Sequence, residues 1–277
     1  MKRTGAKRPM HEPKASVGVA KRLSAAIVAA LLVASVSVAG SLADTTQQGT
    51  LRVKFGGHLS PTRLPRTGLA PVAVALSGDI TTTDHSTPPQ LSTITMAINR
   101  HGRLNPTGLP RCHYHQIQPA STGEAHAACA DALVGTGSFR ANVALPDQSP
   151  FPSDGKVLAF NGVLHGHPVI YAHIYGTVPV PISQLITFRI HRIEGTYRVV
   201  LSAQLPQVAA EWGYVSGLSL TLKRTYRYKG QPRSYLSAGC PAPQGINVAN
   251  YPFARASFGF DDGRTLHSRL TRTCKVR

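Results

Sequence analysis

Two cysteines and three histidines lie close together in the stretch RCHYHQIQPASTGEAHAAC, residues 111–129. Thiolates and imidazoles are common zinc ligands, and thiols also oxidise to disulfides, so the stretch could hold a metal ion or a covalent bond. The chain has four cysteines: Cys112, Cys129, Cys240 and Cys274. An even number of cysteines in an exported chain favours disulfides.

Four cysteines allow three pairings. We predict that Cys112 pairs with Cys129 and that Cys240 pairs with Cys274, because each of these pairs closes a short local loop. Loop-closure entropy would then contribute about 3 kcal/mol for the first bond and nearly 4 kcal/mol for the second. Both bonds would be a large share of the stability of a typical domain.

A metal site is the competing interpretation of the same residues. Structural zinc sites usually place their cysteines two to four residues apart, a spacing that is missing between Cys112 and Cys129. His113 and His115 could share one side of an extended segment but would still need a third ligand, and His165, His167 and His173 raise the same possibility. The two pairs remain secondary metal candidates, and no cofactor is predicted.

The compartment is indicated by the N-terminal segment. The first 22 residues contain seven basic residues and one acidic residue, and an uncharged run follows over residues 23–43. This pattern is typical of a signal peptide, and Ser-Leu-Ala before Asp44 predicts cleavage after Ala43. The alternative is an uncleaved anchor helix over residues 23–43, since about 20 apolar residues can cross a bilayer. In either case residues 44–277 are expected to be secreted or to lie on the extracellular face of the envelope.

Short extended runs separated by Gly, Pro and Asn fill the rest of the chain, which is typical of an all-β protein. We predict one domain over residues 44–277, an antiparallel β-sandwich with one short helix, with two small sandwiches as the alternative. Residues 44–50 read as a disordered lead, and Val215–Tyr228 reads as one strand.

Local signals place the turns and the helix. Asn161-Gly162 predicts a type I′ hairpin turn, because both residue types tolerate positive φ. Asp261-Asp262-Gly263 predicts a longer turn of the same kind. Ser121 followed by Glu124 is a capping-box pattern, which predicts a helix from about Thr122 to Ala130.

Several blocks of sequence resemble a family of uncharacterised exported β-rich proteins from high-GC Gram-positive bacteria. The blocks are LNPTGLPRC (104–112), AHAACADALVGTGSF (125–139), VLAFNG (157–162), YRYKGQPRSYLSAGCP (226–241) and FDDGRTL with the closing TCK (260–275). The resemblance implies export and the two local cysteine pairs, and it implies no reaction, ligand or catalytic residue. His113 and His115 depart from the family pattern.

The net charge of +18 at pH 7 favours anionic partners. Seven of the 30 basic residues and one of the 12 acidic residues lie in residues 1–43, so 23 basic and 11 acidic residues follow. Cell-wall polymers or lipid headgroups are the expected partners, nucleic acid is disfavoured outside the cell, and membrane contact is expected only through residues 23–43.

A basic segment with interleaved tyrosines is the candidate binding surface. Tyrosine rings could stack on sugars while the cations pair with anions. The alternative is an edge strand whose charges prevent aggregation. The candidate residues are Arg224, Tyr226, Arg227, Tyr228 and Lys229.

Catalytic motifs are absent from the sequence: it has no G-x-S-x-G, H-E-x-x-H or P-loop pattern. The leading hypothesis is a non-enzymatic exported protein that associates with the anionic envelope or binds an extracellular ligand. A secreted hydrolase remains the alternative, because a Ser-His-Asp site can be assembled from distant residues. Metal binding is the third hypothesis.

Overall fold

The computed structural model describes residues 43–178, 181–207 and 212–277. The residues in these three ranges belong to one compact unit. The predicted signal or anchor segment lies outside the described residues apart from Ala43. Within the three described ranges, every helix is too short or too polar to span a lipid bilayer.

Strands dominate the described residues, which confirms the predicted all-β class. The strands are β1 (Asp44–Gln48), β2 (Leu51–Ser60), β3 (Arg63–Leu64), β4 (Ala70–Pro71), β5 (Ala73–Thr82), β6 (Leu91–Asn99), β7 (Gly102–Leu104), β8 (Leu133–Val143), β9 (Phe151–Pro152), β10 (Gly155–Leu164), β11 (His167–Gly176), β12 (Ile182–Arg192), β13 (Tyr197–Gln204), β14 (Gly213–Leu222), β15 (Thr225–Tyr228), β16 (Gln231–Ser234), β17 (Leu236–Ala238), β18 (Val248–Phe260) and β19 (Thr265–Val276). The helices are α1 (Tyr114–Ile117) and α2 (Thr122–Cys129), with a short 3₁₀ turn over Ala130–Ala132.

Fourteen of these strands form one curled sheet. Its order is β1-β2-β5-β14-β8-β10-β11-β12-β13-β6-β18-β19-β3, with β9 paired to β8. Neighbours are antiparallel except β19 and β3. The curl brings β19 against β1 and β2, and the backbone N–H of Arg269 donates to Asp44 Oδ2 over 2.8 Å.

Alternation along the strands sends apolar side chains into the curl, as expected of a sheet with one solvated face. On β14, Leu220 and Leu222 are buried while Thr221 between them is exposed. On β19, Leu266, Leu270 and Cys274 are buried on the same face. The curled sheet therefore encloses the main hydrophobic core.

One end of the curl is covered by a second sheet of order β4-β17-β7. Leu104 and Leu236 of this small sheet are buried in the main core, next to Leu59 of β2 and Phe253 of β18. The Cys240–Cys274 disulfide follows β17 and joins the covering segment to β19. We call this the closed end, and the opposite end, where β6, β12 and β14 begin, the cavity end.

The two helices lie on the outer face of β10 and β11. Ile117 and Ala125 are buried there against Phe160 and Tyr171, in a second small core. The predicted Cys112–Cys129 bond is formed and ties the two ends of this helical segment together.

The predicted helix is confirmed by its capping box. Ser121 Oγ accepts the backbone N–H of Glu124 over 3.3 Å, and Glu124 Oε2 accepts the backbone N–H of Ser121 over 2.8 Å. Two orphan donors of the first helical turn are thus satisfied.

Three sequence expectations are wrong. Residues 44–50 begin with β1, whose five residues pair with β2, instead of a disordered lead. The extended run Val215–Tyr228 is divided between β14 and β15, and β15 leaves the large sheet to pair with β16.

The third error concerns the hairpin between β10 and β11. Its turn is at His165 and Gly166, whose φ angles are +49° and +80°, while Asn161 and Gly162 lie inside β10. Both are needed there for other reasons. Asn161 Nδ2 donates to Pro110 O over 2.9 Å, and a Cβ at Gly162 would lie 2.4 Å from the ring of Tyr171.

Candidate ligand-binding site

The histidine pairs proposed as metal ligands lie at the surface. The rings of His113 and His115 stack with centroids 5.8 Å apart, and His165 and His167 lie in and beside the β10–β11 turn. No group of three or more His, Cys, Asp or Glu side chains with metal-site geometry occurs within the described ranges.

The basic tyrosine segment forms the β15–β16 hairpin, and its two tyrosines hold the loop over residues 105–108. Tyr226 Oη lies 2.7 Å from Thr107 O and 3.1 Å from Asn105 O. The ring of Tyr228 occupies the space beside Gly108, where a Cβ would lie 2.1 Å away. Both rings are therefore engaged in holding this loop in place.

The basic side chains of this segment differ in their surroundings. Arg224 Nη2 donates to Asp131 O over 3.3 Å, whereas Arg227 and Lys229 are exposed. Lys229 Nζ lies 5.6 Å from the centroid of the Tyr228 ring. With Arg233 of β16, the hairpin thus offers three exposed cations to a partner.

A serine and a histidine meet beneath the helical segment. Ser183 Oγ lies 3.3 Å from Nε2 of the fully buried His173. Nε2 also lies 2.9 Å from Ala120 O. A carbonyl oxygen only accepts, so Nε2 carries the proton. The Ser183 hydroxyl donates instead to Gln118 Oε1 over 2.9 Å. This pair is therefore not arranged as nucleophile and general base.

The burial of His173 is expected to make the stability of the fold depend on pH. Burial lowers the pKa of its imidazole below the usual 6.5, although the hydrogen bond to Ala120 opposes this shift. Below pH 6.5 the His173 imidazole binds a proton in the unfolded chain but stays neutral in the folded chain. The free energy of unfolding therefore falls as the pH falls, until the pKa of the folded state is reached. One group contributes at most about 1.4 kcal/mol per pH unit.

Urea unfolding of the wild type and of His173→Gln between pH 5 and pH 8 measures this contribution. The variant is expected to show the shallower loss, because its amide can still donate to Ala120 O without titrating. The comparison is needed because burial also lowers the pKa of His101. Equal slopes for the two proteins would show that His173 does not carry the effect.

An apolar cavity of about 120 Å³ lies inside the curl at the cavity end. Its wall is built from side chains of strands that are distant in the sheet order. The rings of Phe55 and Phe258, on the second and eleventh strands of that order, meet edge to face with centroids 5.7 Å apart. Other apolar wall residues are Ile80, Ile94, Ile174, Ile186, Phe188 and Leu220.

Gly78 explains why space remains there. It lies in the middle of β5, between the inward Leu76 and Ile80. A Cβ built on Gly78 would meet no atom within 4 Å. Glycine inside a strand weakens the strand, and it often marks a place where a ligand approaches the backbone. The missing side chain leaves part of the cavity open.

Among the described wall residues, three have polar side chains: Ser77, Ser153 and Gln184. The Ser153 hydroxyl donates to Val178 O. Ser77 alternates with the inward Leu76 and Gly78, so its side chain lies on the outer face of β5. Gln184 alternates with the inward Ile182 and Ile186, so its amide faces the cavity.

Sequence reasoning missed this cavity. Most of its described wall residues are ordinary inward positions of eight strands, and only the curl brings them together. Gly78 is the one local signal, since glycine interrupts the apolar alternation of VALSGDI without a neighbouring turn residue of positive φ.

The chain was also compared with known proteins. No protein-family model, no curated protein and no solved structure matches it.

Proposed function

We propose that this chain is an exported, disulfide-linked binding protein that holds a small apolar molecule inside its curled sheet. The observation that carries the proposal is the apolar cavity into which Gly78 opens. A side chain would fit at this strand position without a clash, so the glycine there lowers the stability of the fold. A role in ligand binding would explain why the position has no side chain.

The size of the cavity sets the size of the ligand. An engineered cavity of about 150 Å³ lined by Leu, Ile and Phe takes benzene or xenon, and this cavity measures about 120 Å³. The ligand is therefore a molecule of roughly six to eight non-hydrogen atoms. Burying about 200 Å² of such a ligand at about 25 cal/mol per Å² gives a dissociation constant of about 0.2 mM.

Export is part of the proposal. The two disulfides indicate an oxidising compartment, and the pattern of residues 1–43 indicates a signal peptide or anchor. We also propose that the chain belongs to the family of exported β-rich proteins that its sequence blocks resemble.

The sandwich arrangement is part of the same proposal. In this description, one part of the curled sheet, containing β2 and β5, faces another part, containing β11 and β12. The shared cavity supports it, because Val53 and Ile80 of the first part line the same space as Ile174 and Ile186 of the second.

A titration with aromatic molecules of increasing size tests the binding function. The full chain with both disulfides intact is titrated with benzene and with anthracene, and backbone amide NMR shifts are followed. Shifts that saturate with benzene and that concentrate on β5, β12 and β18 are expected, whereas anthracene is too large to enter. Absence of saturable shifts with benzene would overturn the proposal.

A second function, association with anionic polymers of the envelope, is favoured by one feature of the outer face. Arg255 and Arg269 are directly opposed on β18 and β19, where like charges destabilise a strand pair. Both side chains are exposed, and within the described residues neither forms an ion pair. An anionic partner would turn this repulsion into attraction.

The neighbouring residues extend this surface across five strands. In register, Arg269, Arg255, Ala97, Val200 and His191 form one row, and His267, Ser257, Thr95, Ser202 and Arg189 form the next. Neither row contains an acidic residue. The guanidinium of Arg255 lies 4.9 Å from the ring centroid of Tyr197. Asp44, whose Oδ2 accepts the Arg269 backbone N–H, lies beside the first row. We call these two rows the basic face.

Cosedimentation with purified cell wall across a salt series tests the basic face. Replacing Arg255 and Arg269 with glutamine is expected to weaken retention roughly thirtyfold at low salt, at about 1 kcal/mol per basic residue. The matched control replaces Arg227 and Lys229 with glutamine, which removes the same charge from the β15–β16 hairpin. A greater loss in the control would place the surface on the hairpin instead, and retention by anionic lipid vesicles alone would identify a membrane.

A further inference from the structure

Gln184 carries a specific inference about the ligand, and it rests on the proposed binding function. The residue lies on β12 opposite Ile174 of β11, and both line the cavity. Within the described part of the chain, the side-chain amide of Gln184 forms no hydrogen bond with another residue. The side chain is half-buried and its amide atoms are not fully buried, so the amide is accessible to a molecule that enters the cavity. In an apolar wall, an amide is stabilised when a polar group of such a molecule pairs with it.

The chemistry of the Gln184 amide determines which polar groups of a ligand it can bind. It offers two N–H donors and one carbonyl acceptor, so it can pair with a hydroxyl, a carbonyl or another amide. Among the described residues that line the cavity, none has a charged side chain. An ionised head would lose its hydration there without a counter-ion, which excludes ammonium and carboxylate groups.

We propose that Gln184 binds the single neutral polar head of the ligand, while the apolar body of the ligand fills the space beside Gly78, Ile174 and Phe258. The ligand class is therefore a small alcohol, phenol, ketone or amide with one hydrogen-bonding group. A pure hydrocarbon would also enter but would leave the amide unpaired.

Phenol and toluene test this assignment, because they have the same number of non-hydrogen atoms and differ in one hydroxyl. Their dissociation constants are measured by NMR titration of the full chain with both disulfides intact. The test variant is Gln184→Met, which keeps the length of the side chain and removes its polar group. The matched control is Gln204→Met on β13, where the glutamine is exposed and does not line the cavity.

In the wild type and in Gln204→Met, the preference for phenol over toluene should be the same. In Gln184→Met, phenol affinity should fall roughly fivefold to tenfold, the range expected for one neutral hydrogen bond, with toluene affinity unchanged or improved. An unchanged ratio in Gln184→Met would overturn the role of Gln184 and leave the apolar site intact. Failure of both molecules to bind the wild type would instead overturn the proposed function itself.

Discussion

Replacing both Cys240 and Cys274 with alanine is expected to lower the free energy of unfolding by about 4 kcal/mol, which is the loop-entropy value for a closed loop of this size. The two cysteines are 34 residues apart and are almost completely buried. Their bond joins the segment that covers the closed end to β19. β19 itself packs against β1 and β2, where the two ends of the curled sheet come together. Loss of the bond should therefore loosen the whole curled sheet.

Urea unfolding gives the size of this effect, and the other disulfide supplies the comparison. Replacing Cys112 and Cys129 with alanine should chiefly release α1 and α2 from the outer face, because this bond closes a loop within that segment. Hydrogen exchange should then show faster exchange in the helices while β2, β18 and β19 stay protected. A loss of less than about 1 kcal/mol for the Cys240–Cys274 variant would contradict this description of the closed end.

Replacing Gly78 with leucine is expected to abolish ligand binding while leaving the fold intact. The φ angle of Gly78 is in an ordinary range for a strand, and a side chain there would extend into free space. The leucine would occupy the space proposed for the ligand. It should also raise stability by about 0.5–1 kcal/mol or more, because glycine is unfavourable inside a strand and the new side chain is buried.

Benzene titration and urea unfolding of the same protein measure both effects. Gly123→Leu is the matched control, since Gly123 lies in α2 with open space around it and away from the cavity. The control should bind benzene as the wild type does. Undiminished binding by Gly78→Leu would place the ligand elsewhere, and a large loss of its stability would show that no usable space exists beside β5.

Local features of the fold could be predicted where neighbouring residues determine them. The capping box of Ser121 and Glu124 starts α2 because its partners are three residues apart. Apolar alternation and flanking turn residues mark both ends of the strands Leu91–Asn99 and Ile182–Arg192 in the sequence. Both disulfides were predictable because each closes a local loop.

Features that depend on distant partners could not be predicted in this way. Asp44–Gln48 is polar and reads as disordered, and it becomes a strand only because β2 lies beside it. The Asn161-Gly162 pair has the composition of a turn, but tertiary contacts with Pro110 and Tyr171 account for both residues. The cavity likewise depends on the meeting of β2, β5, β12 and β18, which no short stretch of sequence encodes.

A crystal structure of the full chain under xenon pressure tests the central claim most directly, because xenon enters dry apolar cavities of this size. We predict anomalous xenon density inside the curl, between Phe55, Ile174 and Phe258, and loss of that density in Gly78→Leu. An interior closed by packed side chains, with no xenon bound there, would contradict a ligand-binding role for the curled sheet.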